Sequence, residues 1–331
     1  MSSLIDCYDA ALFDLDGVVY LGPVAVPRAA EGIAELRGRG VHVGFVTNNA
    51  ARPPRVVAEH LTSLGIPSTA DDVVTSAQAA AHLIVERFGV GATVLAVGGE
   101  GVLEAIAERG LRAVRSADEN PLAVMQGFGF GLTWQELNEA AIAINRGAHW
   151  VATNDDPTRP TDRGLVPGNG AAVAAVQMAV TARPEVAGKP YRPLMDDTVS
   201  RLGARRPVFV GDRLDTDITG AVNAGLDSLL VLSGSHGPAE LLAAPPGSRP
   251  THLGRDLTAL LAPPRDLQVD GGGCRVAGVT ARHEQGLVAV EGSSQDPLDA
   301  LWAVAQLCWH AADEGRPLAV DSALRALDLA S

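Results

Sequence analysis

Short β-branched runs alternate with longer Ala/Leu/Glu/Arg segments along most of this chain, and that alternation admits few folds. Residues 10–14 (AALFD) predict a strand and 27–40 (PRAAEGIAELRGRG) a helix closed by glycine. Residues 41–47 (VHVGFVT) predict the next strand, 54–64 the next helix and 73–75 a short strand. The rhythm resumes with strands at 93–97, 122–126 and 150–152 and helices at 101–109 and 134–146. After a Gly/Pro-rich stretch, 157–170, come helices at 171–180, 196–202 and 216–224 and strands at 208–211 and 228–232. A strand-helix-strand-helix order of this kind predicts an α/β protein with a doubly wound parallel sheet, helices on both faces.

At 331 residues the chain exceeds what one core sustains and suits two or three domains. A hydrophobic content of 47% with 20% charged residues is that of a core-forming protein. The net charge of −13 argues against nucleic acid as a partner, and it means an anionic substrate must be captured by a local device. Cys7, Cys274 and Cys308 are widely spaced and form no CxxC pair, so neither a disulfide framework nor a zinc site is expected. The start, MSSLIDCYDA, lacks a basic segment before an apolar one, and the apolar run at 171–180 is interrupted by Gln177. The expectation is a soluble, cytoplasmic protein with no membrane partner.

Beyond residue 240 the texture changes. Proline-bearing turns at 245–250 and 262–265 precede two runs, 274–283 and 287–291, that predict a hairpin through Gln285-Gly286. Asp296-Pro297 then opens a helix to about residue 313, with Leu298, Leu301, Trp302, Ala305, Cys308 and Trp309 on one face.

The chemistry sits at strand ends. Asp14-Leu15-Asp16-Gly17 closes the first strand, at the edge where open parallel sheets bind ligands. A calcium loop would need an oxygen ligand at its fifth position and glutamate at its twelfth, where Val18 and Ala25 stand. Thr47-Asn48-Asn49 also follows a strand; a hydroxyl with successive backbone N–H groups makes an anion cradle, although the same triplet serves as an ordinary turn. Lys189 lies in a Gly-Lys-Pro frame in a chain whose cations are mostly arginine. Gly211-Asp212-Arg213-Leu214-Asp215-Thr216-Asp217 ends a further strand with three acids. A carboxylate pair, a hydroxyl and amide cradle, an ammonium and further carboxylates suit Mg2+ and phosphoryl transfer.

DLDGVVY, TNN, GKP and GDRLDTDI, in this order, resemble the haloacid dehalogenase superfamily of aspartate-nucleophile phosphatases over about residues 1–260. The resemblance implies a Rossmann-like core with Asp14 as nucleophile and Asp16 as general acid/base. It implies phosphoryl binding by Thr47, Asn48 and Asn49, charge neutralisation by Lys189, and magnesium held by Asp14, the Asp16 carbonyl and Asp212. Asp217 would support the metal shell or Lys189; Asp215 is left open, because the spacing of the last acid varies in the superfamily.

Thr47 and Lys189 lie about 140 residues apart, far beyond a crossover connection, so a domain is inserted between them. Its texture resembles the large α/β (C2-type) cap of NagD-like nucleotidases, phosphoglycolate phosphatase and pyridoxal phosphatase. The expected organisation is a core at 1–78 and 184–264, a cap at 79–183 and a small C-terminal α+β appendage at 265–331. Ala152-Thr153-Asn154-Asp155 and the segment from Arg163 to Gly170 resemble the flanks of the cap's substrate-facing loop, which makes Thr153, Asn154, Asp155 and Arg163 candidates for specificity. The family usually has proline where Asp155 stands; here the order is Asn-Asp-Asp-Pro.

Val97-Gly98-Gly99-Glu100-Gly101 hints at a dinucleotide loop, but Glu104 replaces the third glycine, and a tight βα turn is the better reading. His42, His60, His82 and His149 show no ligand spacing; His149 and Trp150 alone adjoin the cap loop. A loop offering Thr, Asn, Asp and Arg, in a cap poor in aromatics, points to a small polar phosphate such as glycerol 3-phosphate or 2-phosphoglycolate. A nucleoside monophosphate or pyridoxal phosphate is the alternative. A non-catalytic phosphate-binding regulator is the contrasting class, and the filled catalytic positions argue against it. The appendage suggests docking, regulation or a homodimer; an acyltransferase-like remnant lacks the phosphate-cradling glycine turn before its helix.

Overall fold

The computed structural model describes residues 2–161, 163–270, 272–284 and 287–327. The chain divides into two compact units. One comprises Met1–Leu21, Ala25–Val41 and Arg206–Ser331; the other comprises Gly22–Val24 and His42–Arg205.

In the first unit, Ala10–Phe13 lies parallel to Pro207–Gly211, which pairs in turn with Asp227–Val231, and that with His252–Gly254. Every residue of Ala10–Phe13 is buried, as are Val208–Val210 and Leu229–Val231. Unbroken apolar runs without alternation are what strands covered on both faces require. Helix Ala29–Gly38 buries Ala29, Ile33 and Leu36, a spacing that keeps them on one stripe.

The same unit carries a four-stranded antiparallel sheet, Leu267–Asp270, Gly273–Val276, Val279–Glu284 and Leu287–Gly292. The single run expected at 274–283 is two strands. The chain turns at Ala277-Gly278, with Ala277 at a left-handed φ of 51°. The apolar residues on either side hide that turn, because alanine seldom marks a left-handed position. The expected turn at Gln285-Gly286 lies outside the described residues; the strands flanking it pair from Glu284 and Leu287.

Helix Pro297–Asp313 starts as its sequence indicates, with the Asp296 carboxylate accepting from the Leu298 amide and Pro297 in the first turn. It is buried more widely than one stripe, since Ala303, Val304 and Leu307 join Leu301, Trp302 and Trp309 in the interior. These residues form one hydrophobic cluster with Cys274 and Ala281 of the sheet and with Leu241, Leu253, Leu214 and Ile218. Trp302 and Trp309 meet edge to face at 5.5 Å, and Trp309 Nε1 donates to the Leu241 carbonyl at 2.9 Å. Arg265 pairs with both Asp296 and Asp299 at the start of the helix.

In the second unit, His42–Thr47 runs parallel to Val73–Thr75. A five-stranded parallel sheet has the order Glu185–Val186, His149–Ala152, Ala123–Gln126, Thr93–Val97, Arg112–Val114. Helix Ser76–Phe88 has no counterpart in the sequence reading. Ser76 to Ala81 are all buried, so its first half shows no polar face, and Glu86 and Arg87 are exposed only near its end. The Thr75 hydroxyl caps this helix by accepting from the Gln78 amide. Within the stretch 157–170 lies a hairpin, Thr158–Thr161 with Gly164–Pro167. Helix Arg192–Leu202 begins a turn earlier than expected, because Pro193 occupies the first turn, where a missing N–H costs nothing. The architecture is α/β, built on parallel sheets with a C-terminal α+β layer. Among the described residues no helix is long and apolar enough to cross a membrane.

Candidate active site

Asp14 and Asp212 are brought together by strand pairing. Phe13 lies opposite Val210, and the Asp14 amide continues the ladder by donating to the Val210 carbonyl at 2.9 Å. The two strands therefore deliver their following aspartates side by side. Asp217 joins them from the π-helical turn Leu214–Ile218. Carboxylate oxygens of Asp14, Asp212 and Asp217 all lie within 4.8 Å of one another, and all three residues are buried.

The loop geometry depends on small residues. The Asp212 Oδ2 accepts from the Ser235 amide at 2.6 Å. A Cβ at Gly17, which has φ of 88°, would stand 2.4 Å from that oxygen, and one at Gly234 2.1 Å from it. Asp217 Oδ2 accepts from the amides of Asp212 and Arg213 at 3.2 and 3.1 Å. Asp215 is turned to a different task. Burial alone would raise its carboxyl, but the Arg213 guanidinium at 2.7 Å holds it below the usual carboxylate range.

Three buried carboxylates this close repel one another unless a cation or a proton intervenes. All the donors are oxygens, the set that a hard divalent cation such as magnesium takes. The residues present fit that ion. Asp16 differs from Asp14 in being exposed, and its segment makes a tight turn in which the Gly17 amide donates to the Tyr20 carbonyl at 2.8 Å. The strand ends at Phe13, so strand alternation does not extend to Asp16.

The second unit gathers Thr47, Asn48, Asn154, Asp156 and Lys189. Thr47 ends its strand buried, and its hydroxyl accepts from the Asn49 amide at 3.1 Å. Asn49 is exposed and caps its own turn, accepting from the Ala51 amide at 3.0 Å. Lys189 is 2% exposed. Its main chain is held at both ends by the Asn48 amide, Oδ1 accepting from Lys189 N at 2.8 Å and Nδ2 donating to its carbonyl at 3.0 Å.

Of the cap candidates, Thr153 and Asn154 are buried, Asp155 is half-buried and Arg163 is exposed in the hairpin turn. Asp155 accepts from the Tyr191 hydroxyl at 2.9 Å; burial, then this carboxylate, raises the phenol. His149 pairs with Glu185 at 2.8 Å, and Trp150 donates to Gln126 at 3.0 Å, so both are engaged within the five-stranded sheet. The glycines that hinted at a dinucleotide loop serve backbone packing. A Cβ at Gly98 would meet the Gly127 carbonyl at 2.6 Å, and one at Gly101 the Ala50 carbonyl at 2.4 Å.

The sequence reading missed one cluster. The Arg159 guanidinium, on the hairpin, lies over Phe128 at 4.7 Å and Phe130 at 5.3 Å, and the two rings meet edge to face. Arg159 Nε is buried without a hydrogen-bond partner among the described residues. The available signal was Gly127-Phe128-Gly129-Phe130 directly after a strand, in a region otherwise poor in aromatics.

The profile of the haloacid dehalogenase-like hydrolases matches residues 11–112, and a related hydrolase-like profile matches 186–260. D-glycerol 3-phosphate phosphatase of Mycobacterium tuberculosis is 43% identical over 333 positions, covering 97% of this chain and 92% of that protein. A 5'-nucleotidase of Bacillus subtilis is 37% identical over 229 positions, covering 69% of this chain and 88% of its own length. Among solved structures, glycerol phosphate phosphatase from M. tuberculosis in complex with magnesium superposes with a TM-score of 0.88 at 41% identity, covering 99% of each chain.

Proposed function

The chain belongs to the haloacid dehalogenase-like hydrolases, and from that premise we propose that it is a magnesium-dependent phosphomonoesterase acting on a small polar phosphate, glycerol 3-phosphate first and 2-phosphoglycolate next. The observation that carries the reading is the buried cluster of Asp14, Asp212 and Asp217 within 4.8 Å. Full-length similarity to a glycerol 3-phosphate phosphatase supports the substrate.

Asp14 is the nucleophile. One of its oxygens bonds to phosphorus as the ester P–O bond breaks, and Asp16 gives its proton to the leaving alkoxide. Asp16 then takes a proton from water, which attacks the aspartyl-phosphate, releasing inorganic phosphate and the Asp14 carboxylate. The division fits their surroundings, since the nucleophile is buried and the proton carrier is exposed. Thr47, the amides of Asn48 and Asn49, and Lys189 bind and neutralise the phosphoryl oxygens. Asp14, the Asp16 carbonyl and Asp212 would hold magnesium, with Asp217 in support. Magnesium, when bound, supplies charge neutralisation that phosphoryl transfer requires.

The reading includes a core at 1–78 and 184–264, a cap at 79–183, an appendage at 265–331, a cytoplasmic location and a homodimer, the last checked by mass in solution. A panel of glycerol 3-phosphate, 2-phosphoglycolate, nucleoside monophosphates and pyridoxal phosphate, with magnesium and with a chelator, tests the activity. Turnover that survives chelation overturns the mechanism, and a preference of ~10-fold or more for a ring-bearing ester overturns the substrate. A nucleoside monophosphate is the second reading, because Phe130, 75% exposed beside Phe128 and Arg159, offers a ring face.

A further inference from the structure

We infer that Asn154 is a positioning residue for phosphoryl handling, holding Lys189 through Asn48, and that its side chain takes no part in selecting the leaving group. The inference rests on the reading of Lys189 as a phosphoryl-binding residue.

Asn154 is 4% exposed, and its amide is spent. Nδ2 donates to the Asn48 carbonyl at 2.7 Å and to Thr153 Oγ1 at 3.4 Å, and Oδ1 accepts from the Asp156 amide at 3.2 Å. Both Nδ2 hydrogens are thus committed, and the oxygen is engaged by its own turn. The Asn154 carbonyl accepts from Asn169 Nδ2 at 2.7 Å, and Asn169 is itself buried.

The hold continues at Asn48. Its carbonyl takes Asn154 Nδ2 and Ser76 Oγ, each at 2.7 Å, which fills both lone pairs. Its side chain then brackets the Lys189 main chain, while Nδ2 also reaches Asp156 Oδ2 at 3.1 Å. The residue before the lysine must be glycine for this approach. A Cβ at Gly188 would stand 2.7 Å from Asn48 Oδ1 and 2.6 Å from the Thr153 carbonyl. Asn169, Asn154, Asn48 and Lys189 form a chain of amides in which each member fixes the next. At Asn48 and Asn154 an asparagine suits the link because one short planar group supplies both donor and acceptor, and both are used.

Asn154→Asp tests the assignment, since it sets an acceptor against the Asn48 carbonyl while keeping size. A positioning residue acts on the phosphoryl group shared by all substrates. The expected result is a ~10-fold to ~100-fold loss of kcat/KM, equal for glycerol 3-phosphate, 2-phosphoglycolate and p-nitrophenyl phosphate, with weaker inhibition by inorganic phosphate. A change in the ratio between esters with phosphate inhibition intact, or no loss at all, overturns it. If Asn154→Asp does not fold, Asn154→Ser, which keeps one donor, carries the same comparison. Lys189→Met separates the premise: unchanged turnover and phosphate inhibition there would sink the reading of Lys189 itself, whatever Asn154→Asp does.

Discussion

Asp217 reaches back across its turn to the Asp212 main chain, one oxygen accepting from the amides of Asp212 and Arg213 together. It holds the loop that presents Asp212, and it is itself buried. Asp217→Ala is expected to raise the magnesium concentration for half-maximal turnover by ~10-fold to ~100-fold. It is also expected to cost about 1–3 kcal/mol of stability from the stranded amides. Magnesium titration of turnover and urea unfolding read the two effects separately, and an unshifted titration refutes the loop role.

Asp14→Asn should abolish turnover, with a loss of ~10^4-fold or more, as expected when a nucleophile is removed. In metal-free protein it should also raise Tm, because one of three mutually repelling buried charges is gone. Calorimetry with and without chelator shows whether that gain reverses when magnesium is present. Unchanged activity would remove the nucleophile assignment.

Phe128 and Phe130 hold Arg159 by contacts that depend on ring faces. Phe128→Ala should weaken that hold by about 0.5–2 kcal/mol and alter the ratio of kcat/KM between glycerol 3-phosphate and a nucleoside monophosphate. This contrasts with the uniform loss expected of Asn154→Asp. Equal losses on both substrates would exclude Arg159 from specificity.

The C-terminal layer is part of a core. Leu214 and Ile218, which flank Asp217, share a hydrophobic cluster with Trp302 and Trp309. Trp302→Ala should cost about 3–5 kcal/mol, and removal of 265–331 should leave an insoluble remainder because it uncovers Leu241 and Leu253. Chemical denaturation and sedimentation check these outcomes. A soluble, active truncation would show that the layer is dispensable.

Burial pushes the Cys308 thiol up to about 11, with Cys274 nearby adding to it, and burial also raises Cys274. The thiolate is the reacting form, so at pH 8 both remain protonated and covered. Cys7 is exposed. Iodoacetamide at pH 8 should therefore add one adduct to the native protein and three after unfolding, counted by mass spectrometry. Modification of Cys308 in the native state would contradict its burial.

The sequence by itself determined the strand ends and which polar residues stand at them. Asp14, Thr47 and Asp212 follow apolar runs that only a covered parallel sheet satisfies, and short motifs keep the same meaning wherever the chain carries them. Elements with one wet face were legible for the same reason. Helix Ser76–Phe88 was not, because its first six residues are all buried and show no wet face in that half, and the turn at Ala277 was masked by its apolar neighbours. Only the tertiary structure decided that Asn48 grips Lys189 from far along the chain, that Asn154 is spent on that grip, and that Arg159 lies on two phenylalanines. Those relationships depend on which side chains meet, and a local pattern records only what each segment buries.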